Sequence, residues 1–173
     1  SSLNLHSRTL DAVAAAGYRE PTEIQHRTIP ELNEGRDILG TAQTGTGKTA
    51  AFVLPMLQRI ERPPRSNAAS PAALILTPTR ELAAQIHESI GVYGRGSHLR
   101  SVAVFGGASK HKQEQLLRKH PDIIVATPGR LLDFMSDGVI SLRQVTYLVL
   151  DEADRMLDMG FIPAVRRIVR EVP

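Results

Sequence analysis

Short apolar runs rich in β-branched and aliphatic residues alternate along this chain with longer segments of helical periodicity. The runs predict five strands, at Asp37–Thr41, Ala73–Thr77, Ser101–Phe105, Asp122–Ala126 and Thr146–Leu150. Alternation of this kind is typical of βαβ units, in which helices cover a parallel sheet. We therefore expect an α/β fold with three layers, a parallel sheet and helices on both faces. The loops after the strands should meet at the carboxyl edge, where open α/β sheets bind ligands.

The helical segments are closed by glycines or opened by Ser, Thr and Pro residues, the usual boundary signals. They are Ser7–Ala16, Thr22–Asn33, Gly47–Ile60, Thr79–Tyr93, Ser109–Lys119, Pro128–Met135, Ala153–Met159 and Pro163–Val172. Pro55 lies inside the third and should kink or shorten it. The segment Glu61–Ala72, rich in Pro, Ser and Ala, is interpreted as a surface loop. Residues 1–173 are therefore treated as one domain.

Composition mainly excludes classes of protein. No apolar run approaches the ~20 residues of a membrane-spanning helix, and no secretory signal is visible, so no membrane partner is expected. The absence of Cys excludes disulfides and thiolate metal sites, and the six His show no zinc-type spacing. A net charge of +3 does not identify a nucleic-acid binder. With four Phe, three Tyr and no Trp, contact with RNA or DNA should involve the phosphate backbone rather than stacked bases.

A glycine-rich segment after the first predicted strand carries the strongest chemical signal. It consists of Ala42, Gln43, Thr44, Gly45, Thr46, Gly47, Lys48 and Thr49. The segment departs from G-x-x-x-x-G-K-[ST] because Ala42 occupies the position of the first Gly. Its glycines allow backbone N–H groups to surround phosphate oxygens at a helix start. Lys48 could reach the β and γ phosphates and Thr49 could ligate Mg²⁺. The alternative is a glycine-rich turn before an exposed lysine.

An acidic segment follows the last predicted strand, as a magnesium–nucleotide site requires. Asp151 is placed to hold Mg²⁺ through water, and Glu152 is placed to orient or deprotonate the attacking water. Asp154 is interpreted as an organiser of neighbouring loops. The alternative is that these acids only stabilise a helix N-terminus.

Together these two segments resemble the DEAD-box ATP-dependent RNA helicases, of which AQTGTGKT at 42–49 and DEAD at 151–154 are signature motifs. Four further segments agree with that family: GYREPTEIQ at 17–25 with its Q motif, PTRELA at 78–83 with motif Ia, Gly106-Gly107 with the GG element, and TPGR at 127–130 with motif Ib. The residues in and around these motifs are similar to those of the bacterial RhlE-like branch of the family. The resemblance implies a P-loop NTPase fold of the RecA-like type, with ATP and Mg²⁺ as ligands.

The resemblance assigns adenine recognition to Gln25 and places Tyr18, Arg19 and Thr22 in the same nucleotide-binding segment. The Gln25 amide has the donors and the acceptor that adenine requires, which predicts ATP over GTP. The alternative is a capping box, in which Gln25 returns to the Thr22 backbone. The isolated aromatic residue that the family carries upstream of the Q motif is absent from residues 1–16.

The resemblance also implies an RNA interface along three loops. Its residues are Pro78, Thr79, Arg80, Glu81, Gly106, Gly107, Thr127 and Arg130. Helix-start N–H groups and forked arginine charges suit phosphates, and glycines permit close approach. For Arg80 and Arg130 the alternative is an internal salt bridge, for example from Arg80 to Glu81 or Asp154. For the glycines it is an ordinary turn. The segment Lys110–Lys119 is interpreted as a charged helix face, with RNA contact as the alternative.

All matched motifs belong to the first of the family's two RecA-like domains. We expect the chain to stop before the Ser-Ala-Thr motif and the second domain, which supplies catalytic arginines by resemblance. The strand before Ser-Ala-Thr normally lies between the phosphate-loop and DEAD strands, so its absence should leave a gap in the sheet. We expect a cytoplasmic ATP-dependent RNA helicase that separates short duplexes, with this part alone almost inactive. An ATP-dependent RNA clamp and a DNA helicase are the alternatives.

Overall fold

The computed structural model describes residues 3–43 and 45–173. It contains eight helices and four strands within those ranges. In chain order they are α1 Ser7–Ala15, α2 Glu23–Asn33, α3 Lys48–Arg59, β1 Ala73–Leu76, α4 Arg80–Tyr93, β2 Ser101–Val104, α5 Lys110–Leu117, β3 Ile123–Ala126, α6 Pro128–Ser136, β4 Tyr147–Leu150, α7 Ala153–Asp158 and α8 Ile162–Arg170. None of these helices is long and apolar enough to cross a membrane.

The chain divides into two compact units. The first takes in the chain up to Arg59 together with Glu88–His98, and in it α2 packs against α3. The middle of α3, from Ala50 to Met56, is buried around its whole circumference, which suits its almost uninterrupted apolar sequence. The helix continues through Pro55 to Arg59, so of the two predicted effects, a kink or a shortening, the shortening does not occur.

The second unit, Ile60–His87 with Leu99–Pro173, contains a fully parallel sheet in the order β2-β3-β1-β4. Strands β1 and β3 are completely buried, as their unbroken aliphatic sequences indicate. One apolar cluster joins β1, β2 and β3 with α6, α7 and α8, through residues such as Leu76, Phe134 and Ile168. The predicted parallel α/β class is confirmed, and four of the five predicted strands form.

The segment Asp37–Thr41 is the exception, since the structure assigns it no strand. The side chain of Leu39 is 100% exposed. A strand needs the backbone of a neighbouring strand to pair with, and among residues 3–43 and 45–173 no such partner is assigned to this segment. Strand β4 lies at the edge of the described sheet, and Leu150 is exposed. The segment has the apolar residues that a strand requires, but a strand forms only where a second strand lies alongside it.

The register of the sheet determines which loops meet at its carboxyl edge. Leu76 of β1 pairs with Ala126 of β3 and Leu150 of β4, and Ala126 also pairs with Val104 of β2. The residues that follow these four strand ends therefore lie side by side along one edge. Three of the resulting loops are those predicted to contact RNA, and the fourth begins the acidic segment.

Candidate nucleotide and nucleic-acid sites

The phosphate-loop segment leads into α3, and its last two residues, Lys48 and Thr49, are the first two residues of that helix. Gly45 and Gly47 have φ angles of +83° and +81°, a region that favours glycine strongly over residues with a Cβ. The Thr46 hydroxyl donates to the Gln43 carbonyl at 2.6 Å and tightens the turn. Because α3 begins at Lys48, the backbone N–H groups of its first turn point out of the helix end, an orientation that suits an anion. Thr44 lies outside the described residues.

Gln25 connects the Q-motif segment to this loop. Its side chain is buried, and its Nε2 donates to the Gly47 carbonyl at 3.1 Å. Its Oε1 accepts from the Thr22 backbone N–H at 3.1 Å, as in a capping box. The capping interpretation is therefore confirmed, and the additional bond to Gly47 had not been predicted. One N–H and one lone pair of the amide remain for a ligand.

Two observations test whether the first unit suits a bound phosphate group. A Cβ atom added to Gly47 would collide with the Gln25 amide nitrogen and approach the Thr22 hydroxyl oxygen to 3.0 Å, so only glycine fits beside the Q motif. The Thr22 Oγ1 atom is buried, and its capping contact with the Gln25 backbone N–H lacks good hydrogen-bond geometry. A buried hydroxyl of this kind is normally satisfied by a ligand or water. The loop therefore fits an anionic ligand.

Tyr18 and Arg19, also assigned to the nucleotide-binding segment, lie on the surface. The ring of Tyr18 lies 6.2 Å from the ring of Tyr93, at an interplanar angle of 52°. Burial raises the pKa of Tyr93, and a hydrogen bond with Tyr18 raises it further. Tyr93 therefore lies beside the Q-motif segment, a contact that its position at the end of a predicted helix did not indicate.

The acidic segment begins where β4 ends. Asp151 is buried, and its backbone N–H donates to the Leu76 carbonyl at 2.9 Å, which extends the sheet ladder by one bond. Glu152 has φ and ψ of 53° and 50°, the left-handed conformation, which costs a residue with a Cβ roughly 1–2 kcal/mol. Its carboxylate contacts the Arg155 guanidinium at 3.3 Å. Asp154 is exposed in the first turn of α7. A strained backbone within a motif marks a candidate functional residue.

The three predicted RNA-contacting loops follow β1, β2 and β3 and share one sheet edge. Thr79 caps α4, since its hydroxyl accepts from the Leu82 N–H at 3.3 Å. Thr127 occupies the N-cap position of α6, and Pro128 takes a first-turn position there without breaking a helical bond. Pro78 is buried, whereas Glu81 is exposed. Two helix N-termini therefore lie beside the Gly106-Gly107 turn.

Both arginines of these loops bind the Gly106–Ala108 turn, and Arg130 also forms an internal ion pair with Asp133. Arg80 donates to the Gly107 carbonyl at 3.2 Å, rather than to Glu81 or Asp154, and its guanidinium lies 5.7 Å from the Phe105 ring centroid. Arg130 donates to the Ala108 carbonyl at 3.2 Å. Its side chain is only 14% exposed and lies 4.0 Å from the Asp133 carboxylate. Arg80 remains exposed, while Arg130 faces inward.

Gln113 is a buried member of this cluster that the sequence analysis missed. Its Nε2 donates to the Phe105 carbonyl at 2.9 Å, and its Oε1 accepts from the Phe105 N–H at 3.2 Å. The same Oε1 accepts from Arg130 at 3.2 Å. Within KHKQEQLLRK it had been included in a charged helix face. The available signal was its spacing, because Gln113 precedes the fully buried Leu117 by one helical turn.

A parallel α/β sheet and a glycine-rich loop that opens a helix define a nucleotide-binding domain of the P-loop class. The family described as "DEAD/DEAH box helicase" matches residues 22–173, and the chain belongs to this family. It is 48% identical over 170 residues to "DEAD-box ATP-dependent RNA helicase 30" of Oryza sativa subsp. japonica, covering 98% of this chain and 26% of that protein. It is 49% identical to "Probable ATP-dependent RNA helicase ddx17" of Dictyostelium discoideum, covering 92% of this chain and 20% of that protein.

A solved structure is similarly close. The RNA-helicase Prp28 from Chaetomium thermophilum, bound to ADP, superposes with a TM-score of 0.88 at 43% identity. The match covers 96% of this chain and 41% of that one. This likeness confirms the predicted RecA-like fold. The relatives named here are plant, amoebal and fungal proteins, so they give no support to the bacterial RhlE-like assignment.

Proposed function

We propose that residues 1–173 form the first RecA-like domain of an ATP-dependent RNA helicase, which binds ATP and the RNA backbone. The observation that carries this proposal is the hydrogen bond from Gln25 Nε2 to the Gly47 carbonyl at 3.1 Å. It joins the Q-motif segment to the phosphate loop, so that one buried amide lies beside a loop suited to phosphates. The chain spans about a quarter of the rice relative, so the activity of the whole protein belongs to the proposal.

The hydrogen-bond donor and acceptor that Gln25 still has available favour adenine over guanine. After its bonds to Thr22 and Gly47, the amide keeps one N–H donor and one acceptor lone pair. Adenine presents an acceptor at N7 and a donor at N6, which complement that pair. Guanine presents acceptors at both N7 and O6, so one of its atoms would face the Gln25 oxygen unfavourably. We therefore expect ATP to bind more tightly than GTP.

The residues of the phosphate loop and of the acidic segment would hold the triphosphate and its metal. Lys48 supplies a positive charge to the β and γ phosphates, while Thr49 and Asp151 supply oxygen ligands of the kind that Mg²⁺ prefers. Bound Mg²⁺ neutralises charge on the phosphates. Glu152 orients or deprotonates the attacking water, and Lys48 and Asp151 complete the catalytic set. Asp154 organises the adjoining loops.

The shared sheet edge supports the RNA part of the proposal. The N-termini of α4 and α6 and the glycine turn provide backbone N–H groups for phosphates, and exposed Arg80 adds a forked charge. These groups contact no base, so binding should be independent of sequence. Arg130 contributes by holding the turn, because its guanidinium is engaged with Ala108 and Gln113.

In the whole protein, ATP would close this domain and a second RecA-like domain over one RNA strand and bend it, and hydrolysis would reopen the cleft. Arginines from the second domain are worth roughly 10³–10⁵ in rate in such enzymes. The isolated chain should therefore bind nucleotide but hydrolyse it slowly. Membership of the RhlE-like branch and a cytoplasmic location remain sequence-based predictions without support from the relatives.

Titration calorimetry of the chain with magnesium-bound ATP and GTP tests the nucleotide assignment. We expect ATP to be preferred and Lys48→Ala to weaken binding at least tenfold, while Lys119→Ala, a change at an exposed lysine, leaves it unaltered. Equal affinity for ATP and GTP would contradict the adenine assignment. For the whole protein, ATP hydrolysis that is stimulated by RNA but not by DNA excludes a DNA helicase. Displacement of a short duplex strand distinguishes a helicase from a clamp.

A further inference from the structure

Gln113 satisfies both backbone groups of one residue at the start of the glycine turn. Its amide accepts from the Phe105 N–H at 3.2 Å and donates to the Phe105 carbonyl at 2.9 Å. The side chain is 6% exposed, so these bonds are shielded from competing water. Glutamine is uncharged and carries both a donor and an acceptor at its tip, which is what this bidentate contact requires. Asparagine has the same groups on a shorter side chain.

The turn that follows depends on such contacts because it has no regular structure of its own. Gly107 has a φ of +79° and is exposed. Three side chains hold three of the four residues from 105 to 108: Gln113 holds Phe105, Arg80 holds Gly107 and Arg130 holds Ala108. The last two bonds are each 3.2 Å long. A short glycine turn without these contacts would sample many backbone conformations.

Gln113 also forms a hydrogen bond that positions the Arg130 side chain. The Gln113 Oε1 atom accepts from Arg130 Nη1 at 3.2 Å, and the same nitrogen donates to the Ala108 carbonyl at 3.2 Å. With its side chain 14% exposed and Asp133 nearby, Arg130 is placed to support the turn rather than to reach solvent. One uncharged side chain therefore connects α5, the glycine turn and the first turn of α6.

The geometry points to Gln113 as a positioning residue for RNA binding. Through Phe105 and Arg130 it holds the Gly106-Gly107 turn in the conformation that presents its backbone to an RNA phosphate. This inference rests on the proposed function and deepens it, because it adds a residue to the RNA site that does not itself contact RNA. Losing Gln113 should lower the fraction of molecules with a competent turn, and the apparent Kd rises by the inverse of that fraction.

Gln113→Met tests the inference, because Met has similar volume but cannot form these bonds. Gln115→Met, on the exposed side of the same helix, is the matched control. Binding of a fluorescein-labelled oligouridine to the chain is measured across a salt series. We expect about tenfold weaker binding for Gln113→Met, an unchanged log–log salt slope and unchanged ATP affinity. The control should match wild type. Arg80→Met, in contrast, should reduce the slope by about one.

Amide hydrogen exchange without RNA provides a second readout, in which Gln113→Met should accelerate exchange in residues 105–108 selectively. Wild-type RNA affinity and exchange in Gln113→Met would overturn the inference alone. A salt slope reduced by one in Gln113→Met would also overturn it, because the variant would then have lost a direct phosphate contact made by Arg130. A parallel loss of ATP affinity would overturn it too, because it indicates general destabilisation. If wild-type protein binds no RNA in low salt, the proposed function fails as well.

Discussion

Replacing Gln25 with Met removes both hydrogen bonds of a buried amide while keeping nearly the same side-chain volume. The bonds run to the Thr22 N–H and the Gly47 carbonyl, each at 3.1 Å. An average intramolecular hydrogen bond contributes about 1 kcal/mol net, so the pair contributes about 2 kcal/mol. Because Met fills the space, no large cavity adds to this loss. We expect Gln25→Met to lower the free energy of unfolding by about 2 kcal/mol in the absence of nucleotide.

Urea denaturation followed by far-ultraviolet circular dichroism measures this change, with Gln115→Met as an exposed control. The control should remain within about 0.5 kcal/mol of wild type. A loss of about 2 kcal/mol corresponds to a Tm roughly 4–8 °C lower for a chain of this length. If Gln25→Met is as stable as wild type, the amide does not join α2 to the phosphate loop, and the reasoning for adenine recognition loses its structural basis.

Gly47→Ala should weaken ATP binding at least tenfold, because the added Cβ collides with Gln25 and the φ of +81° disfavours alanine. Gly91→Ala is the control, since a Cβ added there meets nothing within 4 Å, and its ATP affinity should not change. Titration calorimetry measures both affinities. Glu152→Gly should raise the free energy of unfolding by up to about 1 kcal/mol, because it relieves the left-handed conformation at φ 53°, and a urea midpoint no higher than wild type would contradict this. Burial lowers the pKa of His87, so the folded state binds fewer protons than the unfolded state below pH ~6.5. Stability should therefore fall as the pH drops below that value, and His87→Gln should reduce the fall in urea melts; a parallel pH profile would refute the assignment.

Local sequence predicted most of the fold because its signals extend over only a few residues. The aliphatic runs at Ala73–Leu76 and Ile123–Ala126 became fully buried parallel strands. The boundary signals placed the starts of helices to within about one residue, for instance at Ser7 and Pro128. The phosphate loop could be recognised for the same reason, since its glycines, lysine and threonine are contiguous.

The partners of the polar side chains could be known only from the tertiary structure. Gln25 bonds to Gly47, Arg80 to Gly107, and Arg130 to Ala108, although each pair is more than 20 residues apart along the chain. Nothing local to Arg80 distinguishes a carbonyl acceptor from a carboxylate, because both satisfy a guanidinium.

The same dependence on distant neighbours explains the strand expected at Asp37–Thr41 and the overlooked role of Gln113. The apolar pattern around Leu39 shows that a strand is compatible with the sequence, but a ladder forms only where another strand lies alongside. Gln113 looked like one more polar residue of an exposed helix until folding placed Phe105 against it. Sequence alone determined which groups could bond, and the packing of remote segments decided which of them did.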